Sequence, residues 1–169
     1  KVIKLKDSYS ILTMKLSQFP RAFKLACGGK EMFPYRYYTF DRLETNKGLI
    51  SEAGNEEIQW DTDALKTILS TRQIDKPIDQ LKWDQHQFEQ NIDAIPNCRI
   101  NADGKPDAKG EYFDMKLYCD FYVKQDVRLL QEGFDAFRNI LLDPAYAIDI
   151  DADNFLTMPS ISSDFCMKN

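Results

Sequence analysis

A run of apolar residues at helical spacing occupies the second half of the chain and limits what it can fold into. Leu117, Phe121, Leu129, Leu130, Phe134, Phe137, Ile140 and Leu141 recur at spacings of three, four or seven, apart from the adjacent pairs Leu129-Leu130 and Ile140-Leu141 and one gap of eight between Phe121 and Leu129. Such spacing predicts one long helix of about eight turns, starting near Tyr112 and ending before Pro144. Gly133 is its weak point, because glycine inside a helix costs about 1 kcal/mol relative to alanine. Within the run, Tyr122 and Asp126 stand four apart, which places a phenol and a carboxylate one above the other on one face, about 5–6 Å apart at Cβ. Such a pair can serve one site; the alternative is a core tyrosine beside a solvated aspartate.

The chain has 169 residues, enough for one domain that buries roughly 70% of the surface of its unfolded form. Two full domains are not expected. No apolar run approaches the ~20 residues of a membrane span, and no basic start precedes an apolar stretch, so a soluble, intracellular protein with no membrane partner is expected. Cytoplasmic, mitochondrial and virus- or plasmid-encoded origins are not distinguished. Cys27, Cys98, Cys119 and Cys166 are scattered and His86 is the single histidine, which is not the clustered spacing of a zinc site. Reduced, mostly buried thiols and a solvated His86 are expected.

The net charge of −5 is unevenly placed. Residues 1–30 carry Lys1, Lys4, Lys6, Lys15, Arg21, Lys24 and Lys30 against Asp7 alone, a local balance of +6 that leaves −11 for the rest. A basic face able to meet phosphates beside an acidic body is expected. The segment from Lys30 to Thr39 interleaves three tyrosines and a phenylalanine with two cations. That composition suits a loop tracking single-stranded nucleic acid, rings under bases and cations at phosphates; packing of the loop onto the core is the alternative.

Along the chain, Val2–Lys6 alternates as a short strand. Ser17 is placed to cap a short helix through Phe19, Ala22 and Phe23, with Pro20 in its first turn and Gly28-Gly29 as its break. Phe40–Asn46 reads as one or two helical turns. An exposed acidic stretch is expected around Gly54–Ile58, followed by a helix capped by Asp61 or Asp63 with Leu65, Ile68 and Leu69 as its stripe. After Pro77, a helix starting at Asp79 or Lys82 turns Trp83, Phe88 and Ile92 inward and closes at Pro96. Asn101–Gly110 reads as a loop. Asp149, Asp151 and Asp153 resemble the start of a calcium loop but lack its turn glycine and closing acid, so a helix-capping acidic turn is expected. The chain stops in an apolar, helical segment, and a longer natural protein is expected.

Four segments, in order, resemble the protein-primed branch of family B DNA polymerases of phages, adenoviruses and linear plasmids. Lys6–Leu25 is similar, without gaps, to the stretch holding a Ser/Thr-Leu-x-x-hydrophobic motif; Ser8, Tyr9 and Leu12 match it, with Tyr9 in place of the usual leucine. Lys30-Glu-Met-Phe33 fits the Lys-x-x-hydrophobic motif, and Tyr35 falls where the family often places a DNA-contacting tyrosine. Tyr122-x-x-x-Asp126, followed by Val127, Leu129 and Leu130, resembles the third exonuclease motif. Asp153–Ile161 resembles the segment linking exonuclease and polymerase domains.

The resemblance implies an α/β fragment, mostly helical: the second half of a ribonuclease H-like 3′-5′ exonuclease domain with one or two short strands over residues 1–143, then a linker and the start of the polymerase domain over 144–169. It implies part of a DNA-directed DNA polymerase replicating a linear, protein-primed element. Tyr122, Asp126 and Lys30 would be catalytic, Asp126 a ligand of Mg2+ or Mn2+ in the complete enzyme, and Ser8, Tyr9, Leu12, Phe33 and Tyr35 DNA contacts. The partners implied are a single-stranded primer terminus, the terminal priming protein and the rest of the polymerase chain. The family's Asp-x-Glu motif and its polymerase signatures are absent from these residues, so the isolated chain is expected to lack activity. The alternative is a non-catalytic module binding single-stranded DNA or protein.

Overall fold

The computed structural model describes residues 11–26, 31–72, 83–146, 148–155 and 158–168. The expected strand at Val2–Lys6, the Gly28-Gly29 break, Pro77 and the helix start at Asp79 or Lys82 lie outside them, as do Ser8, Tyr9, Cys27 and Lys30. The protein is mostly helical, with a small three-stranded antiparallel sheet. It divides into two compact units, Glu31–Lys124 and a terminal unit of Lys1–Lys30 with Gln125–Asn169. No helix among the described residues is long and apolar enough to cross a membrane.

The unit 31–124 opens its regular structure with helix α2 (Phe40–Thr45), α1 (Phe19–Phe23) being in the terminal unit. Thr39 caps α2 by accepting from the Arg42 N–H, and Asn46 ends it in the left-handed conformation, φ 56°. Strand β1 (Lys47–Leu49) leads directly into α3 (Ile50–Arg72), and α4 (Gln85–Ala94) is capped by Asp84, which accepts from the Gln87 N–H at 3.1 Å. Ile95 is extended, as a residue before proline prefers, and closes α4 at Pro96. Strands β2 (Arg99–Ile100) and β3 (Tyr112–Asp114) complete the sheet in the order β1-β3-β2, with Gly48 opposite Phe113. The core gathers Tyr37, Ile50, Ala53, Phe88, Ile92, Cys98, Phe113, Met115 and Tyr118.

Three expectations for this unit need correction. The acidic stretch around Gly54–Ile58, expected to be exposed, and Asp61 and Asp63, expected to start a helix, all lie in the interior of α3. Two of its acids face inward: Glu57 and Asp61 are each 7% exposed and accept backbone N–H groups of Arg36 at 2.7 Å and Trp83 at 2.8 Å, which offsets part of their loss of water. The expected stripe residues Leu65, Ile68 and Leu69 lie on α3, but their side chains are outside the description. Trp83 precedes α4 instead of belonging to it, packing on Phe88 with ring centroids 5.0 Å apart. Finally, Tyr112 begins a strand, and the long helix α5 (Met115–Leu142) starts three residues later. Asp114 sets that start, its Oδ1 accepting from the Leu117 N–H at 2.9 Å.

In the terminal unit, a 3-10 turn at Leu16–Gln18 runs into α1 (Phe19–Phe23), so Gln18 and not Ser17 is the N-cap. The Gln18 side chain turns back to accept the Lys15 N–H at 3.1 Å, which spends that side chain on the preceding turn. Pro20 sits in the first turn of α1, as expected. The core holds Ile11, Leu12, Phe19, Leu129, Leu141, Ile150, Ala152 and Ile161. Asp151 forms a two-pronged pair with Arg138, at 2.6 and 2.7 Å, and its carbonyl starts the 3-10 turn Ala152–Asn154. Helix α6 (Met158–Lys168) follows.

Gly133 does not interrupt α5. The Phe19 ring occupies the space that a Cβ at Gly133 would need, and Phe19 is 2% exposed. Gly133→Ala therefore gains about 1 kcal/mol of helix propensity but forces a buried ring to move. A net destabilisation of about 1–3 kcal/mol is expected in urea unfolding; a stabilised variant would show that Phe19 yields freely.

Candidate nucleic-acid interface

The segment that follows residue 30 is laid on the first half of α5 by its aromatic side chains. Pro34 is buried and opens a tight turn, with the Tyr37 N–H donating to the Pro34 carbonyl at 3.1 Å. Phe33, just before it, packs against four tyrosines: ring centroids lie 4.4 Å from Tyr122, 4.5 Å from Tyr38, 4.9 Å from Tyr35 and 6.2 Å from Tyr118. Tilted and edge-on pairs of this kind contribute about 0.5–1.5 kcal/mol each beyond the area they bury.

The tyrosine hydroxyls then fix the register. Tyr38 donates to the Met115 carbonyl at 2.7 Å, and Tyr118 donates to the Met32 carbonyl at 2.5 Å. Burial pushes both hydroxyls well above the ordinary phenol range, so they remain protonated donors. Tyr35 and Tyr122 share a short hydroxyl–hydroxyl hydrogen bond although they lie 87 positions apart. Tyr122 is 6% exposed, whereas the Tyr35 ring is 58% exposed. One ring of the cluster is thus held by its hydroxyl while its face meets solvent.

Of the residues singled out from the sequence, Phe33, Tyr35 and Tyr122 come together here. Leu12 does not join them: it is buried in the core of the terminal unit. Asp126 follows Tyr122 by one turn of α5, in the part of that helix belonging to the terminal unit, and is half-buried. Lys30, Ser8 and Tyr9 lie outside the described residues. Among the described residues, no three His, Cys, Asp or Glu side chains gather as a metal site would require. Asp126 is a single carboxylate, and the described residues do not by themselves fit a two-metal centre. Of the cysteines, Cys98 is buried, Cys119 half-buried and Cys166 exposed, which departs from the expected burial at Cys166. Burial pushes the Cys98 thiol up to about 12, and His86 is exposed as expected.

Sequence reasoning missed the supports. Tyr118 stands one turn before Tyr122 on the same face of α5, a spacing that was there to be read. Glu57 was not accessible in that way. Its carboxylate holds the Arg36 N–H across the turn, and burial raises its pKa against the lowering effect of that hydrogen bond. A carboxyl raised in the folded state adds stability below its ordinary value of 4.5, and that stability fades as pH rises through the raised value.

Two tests follow from this geometry. Glu57→Gln keeps an oxygen for the Arg36 N–H but removes the buried charge, so unfolding free energy measured from pH 4 to 7 loses part of the decline seen in the parent as pH rises; an unchanged decline would show that Glu57 does not cause it. Tyr35→Phe costs about 0.5–1.5 kcal/mol, and in a double-mutant cycle with Tyr122→Phe the double variant loses less than the sum of the two single losses, because both remove the bond between the two hydroxyls. Fully additive losses would contradict the pairing. Comparison of the chain with models of known families, with curated proteins and with solved structures finds no match.

Proposed function

We propose that this chain is a segment of a protein-primed family B DNA polymerase, comprising the later half of its ribonuclease H-like 3′-5′ exonuclease domain and the start of its polymerase domain. Its part in that enzyme is to hold the single-stranded 3′ end of the DNA. The observation that carries the reading is the packing of Phe33 and Tyr35 on Tyr122. These residues come from two separate motifs of the resemblance, and an exonuclease site would need those motifs side by side.

In this reading the exposed Tyr35 ring receives a base, with Phe33 and Tyr122 supporting it, and the basic composition of residues 1–30 suits contact with phosphates. Ser8, Tyr9 and Leu12 belong to the contact with DNA or the terminal priming protein. Lys30, Tyr122 and Asp126 take their catalytic roles from the resemblance. Mg2+ or Mn2+ would bind only in the complete enzyme, where further carboxylates from the rest of the polymerase chain join Asp126. The 169 residues alone bind without cutting.

Fluorescence anisotropy with a labelled oligothymidylate tests this. Affinity falls steeply as salt rises from 50 to 200 mM. Tyr35→Ala weakens binding about tenfold, in line with the loss of one stacked base. Lys30→Ala reduces the salt slope by about 0.7, the share of one phosphate contact on a single strand. Binding that neither substitution alters would remove the DNA-contact assignment. Degradation of a 3′-labelled strand in Mg2+ by the isolated chain, abolished in Asp126→Ala, would instead show a complete nuclease.

A further inference from the structure

The turn that begins at Pro34 presents two neighbouring exposed side chains, Tyr35 and Arg36. Arg36 lies over the Trp60 indole of α3, its guanidinium carbon 4.6 Å from the ring centroid. Trp60 is 42% exposed, unusual for so large an apolar ring. The Arg36 guanidinium makes no ion pair among the described residues, in contrast to Arg42, which also lies over an aromatic ring but is engaged by Glu56 at 2.7 Å. One face of the Arg36 plane is therefore seated on an aromatic ring, and among the described residues the guanidinium donates no side-chain hydrogen bond, Glu57 acting on it only electrostatically.

The turn that carries Arg36 is also held through its backbone. Glu57 holds Arg36 through the backbone N–H at 2.7 Å, and Glu57 and Trp60 are three apart, on neighbouring turns of the same face of α3. The turn is thus anchored to the helix that carries the indole. A planar guanidinium fixed on an aromatic ring is a surface on which an unstacked nucleobase can lie, since bases stack on arginine planes as they do on aromatic rings.

We propose that Arg36 and Trp60 form a second stacking position for single-stranded nucleic acid, taking the base next to the one on Tyr35. This rests on the strand-holding function proposed above and extends it to two residues outside the motifs of the resemblance. The ligand class is an unpaired nucleotide whose base, and not only its phosphate, is recognised.

The chain contains two tryptophans, Trp60 and Trp83, so a Trp83→Phe background leaves Trp60 as the only indole emitter. Titration of the full chain with oligothymidylate is expected to quench Trp60 emission. Arg36→Ala should weaken binding about tenfold, with its circular dichroism unchanged because the Glu57 anchor is to the backbone. Arg36→Lys should lose most of the same affinity, since it keeps the charge but not the plane. An oligomer of abasic sites of equal length should bind without the quench.

Oligothymidylate binding that leaves Trp60 emission unchanged, Arg36→Lys that binds like the parent, or an abasic strand that quenches equally would each overturn the second position while leaving the Tyr35 assignment standing. No binding of oligothymidylate by the parent chain would overturn both.

Discussion

The contact between Phe33 and the tyrosines of α5 is the interaction on which the candidate interface depends. Phe33 has no polar group with which to fix a register, so its ring alone would tolerate several placements. The register comes from the hydroxyls around it, donated by Tyr118 to the Met32 carbonyl and by Tyr38 to the Met115 carbonyl. Each of these bonds joins a side chain of one segment to the backbone of the other, so sliding the segments would leave buried polar groups unsatisfied at about 1–3 kcal/mol each. With Phe33, Pro34, Tyr37 and Tyr38 turned toward protein, Tyr35 and Arg36 are the side chains left to face outward.

The opposite side of the turn is held by two buried carboxyl groups. Glu57 and Asp61 sit one turn apart on the inward face of α3 and accept N–H groups from Arg36 and Trp83, residues in two different loops. Buried carboxylates are costly unless hydrogen-bonded, and each has such a partner here. Aromatic packing on α5 and carboxylate anchoring on α3 therefore position the same short turn from two elements. A base-stacking surface benefits from such rigidity, because a ring already in place has less freedom to lose on binding.

Helix α5 was legible because its apolar residues repeat over many turns, α2 as one or two turns ending at Asn46, and α4 through Phe88, Ile92 and the closing Pro96; the caps Thr39 and Asp84 emerge only in the structure. The strands were not legible. At two or three residues each they are too short to show an alternating pattern, and Tyr112–Asp114 merges into the helical run behind it. Helix α3 was misread for a different reason: Gly54–Ile58 looks like an exposed acidic stretch and Asp61 like a cap, and only tertiary partners reveal that Glu57 and Asp61 face inward. At the interface, Phe33, Tyr35 and Tyr122 could be singled out through motifs. Trp60 could not, since it lies in an acidic stretch and its meaning comes from Arg36, 24 positions away in sequence.

Photocrosslinking of a 5-bromouracil-substituted single strand to the intact chain, followed by mass-spectrometric mapping of the modified residues, tests most directly whether this turn is where nucleic acid is held. Crosslinks concentrated on Phe33–Arg36, with a second group at Trp60, are the result expected. A strand that binds and crosslinks efficiently but only outside residues 31–38 and α3 would contradict it.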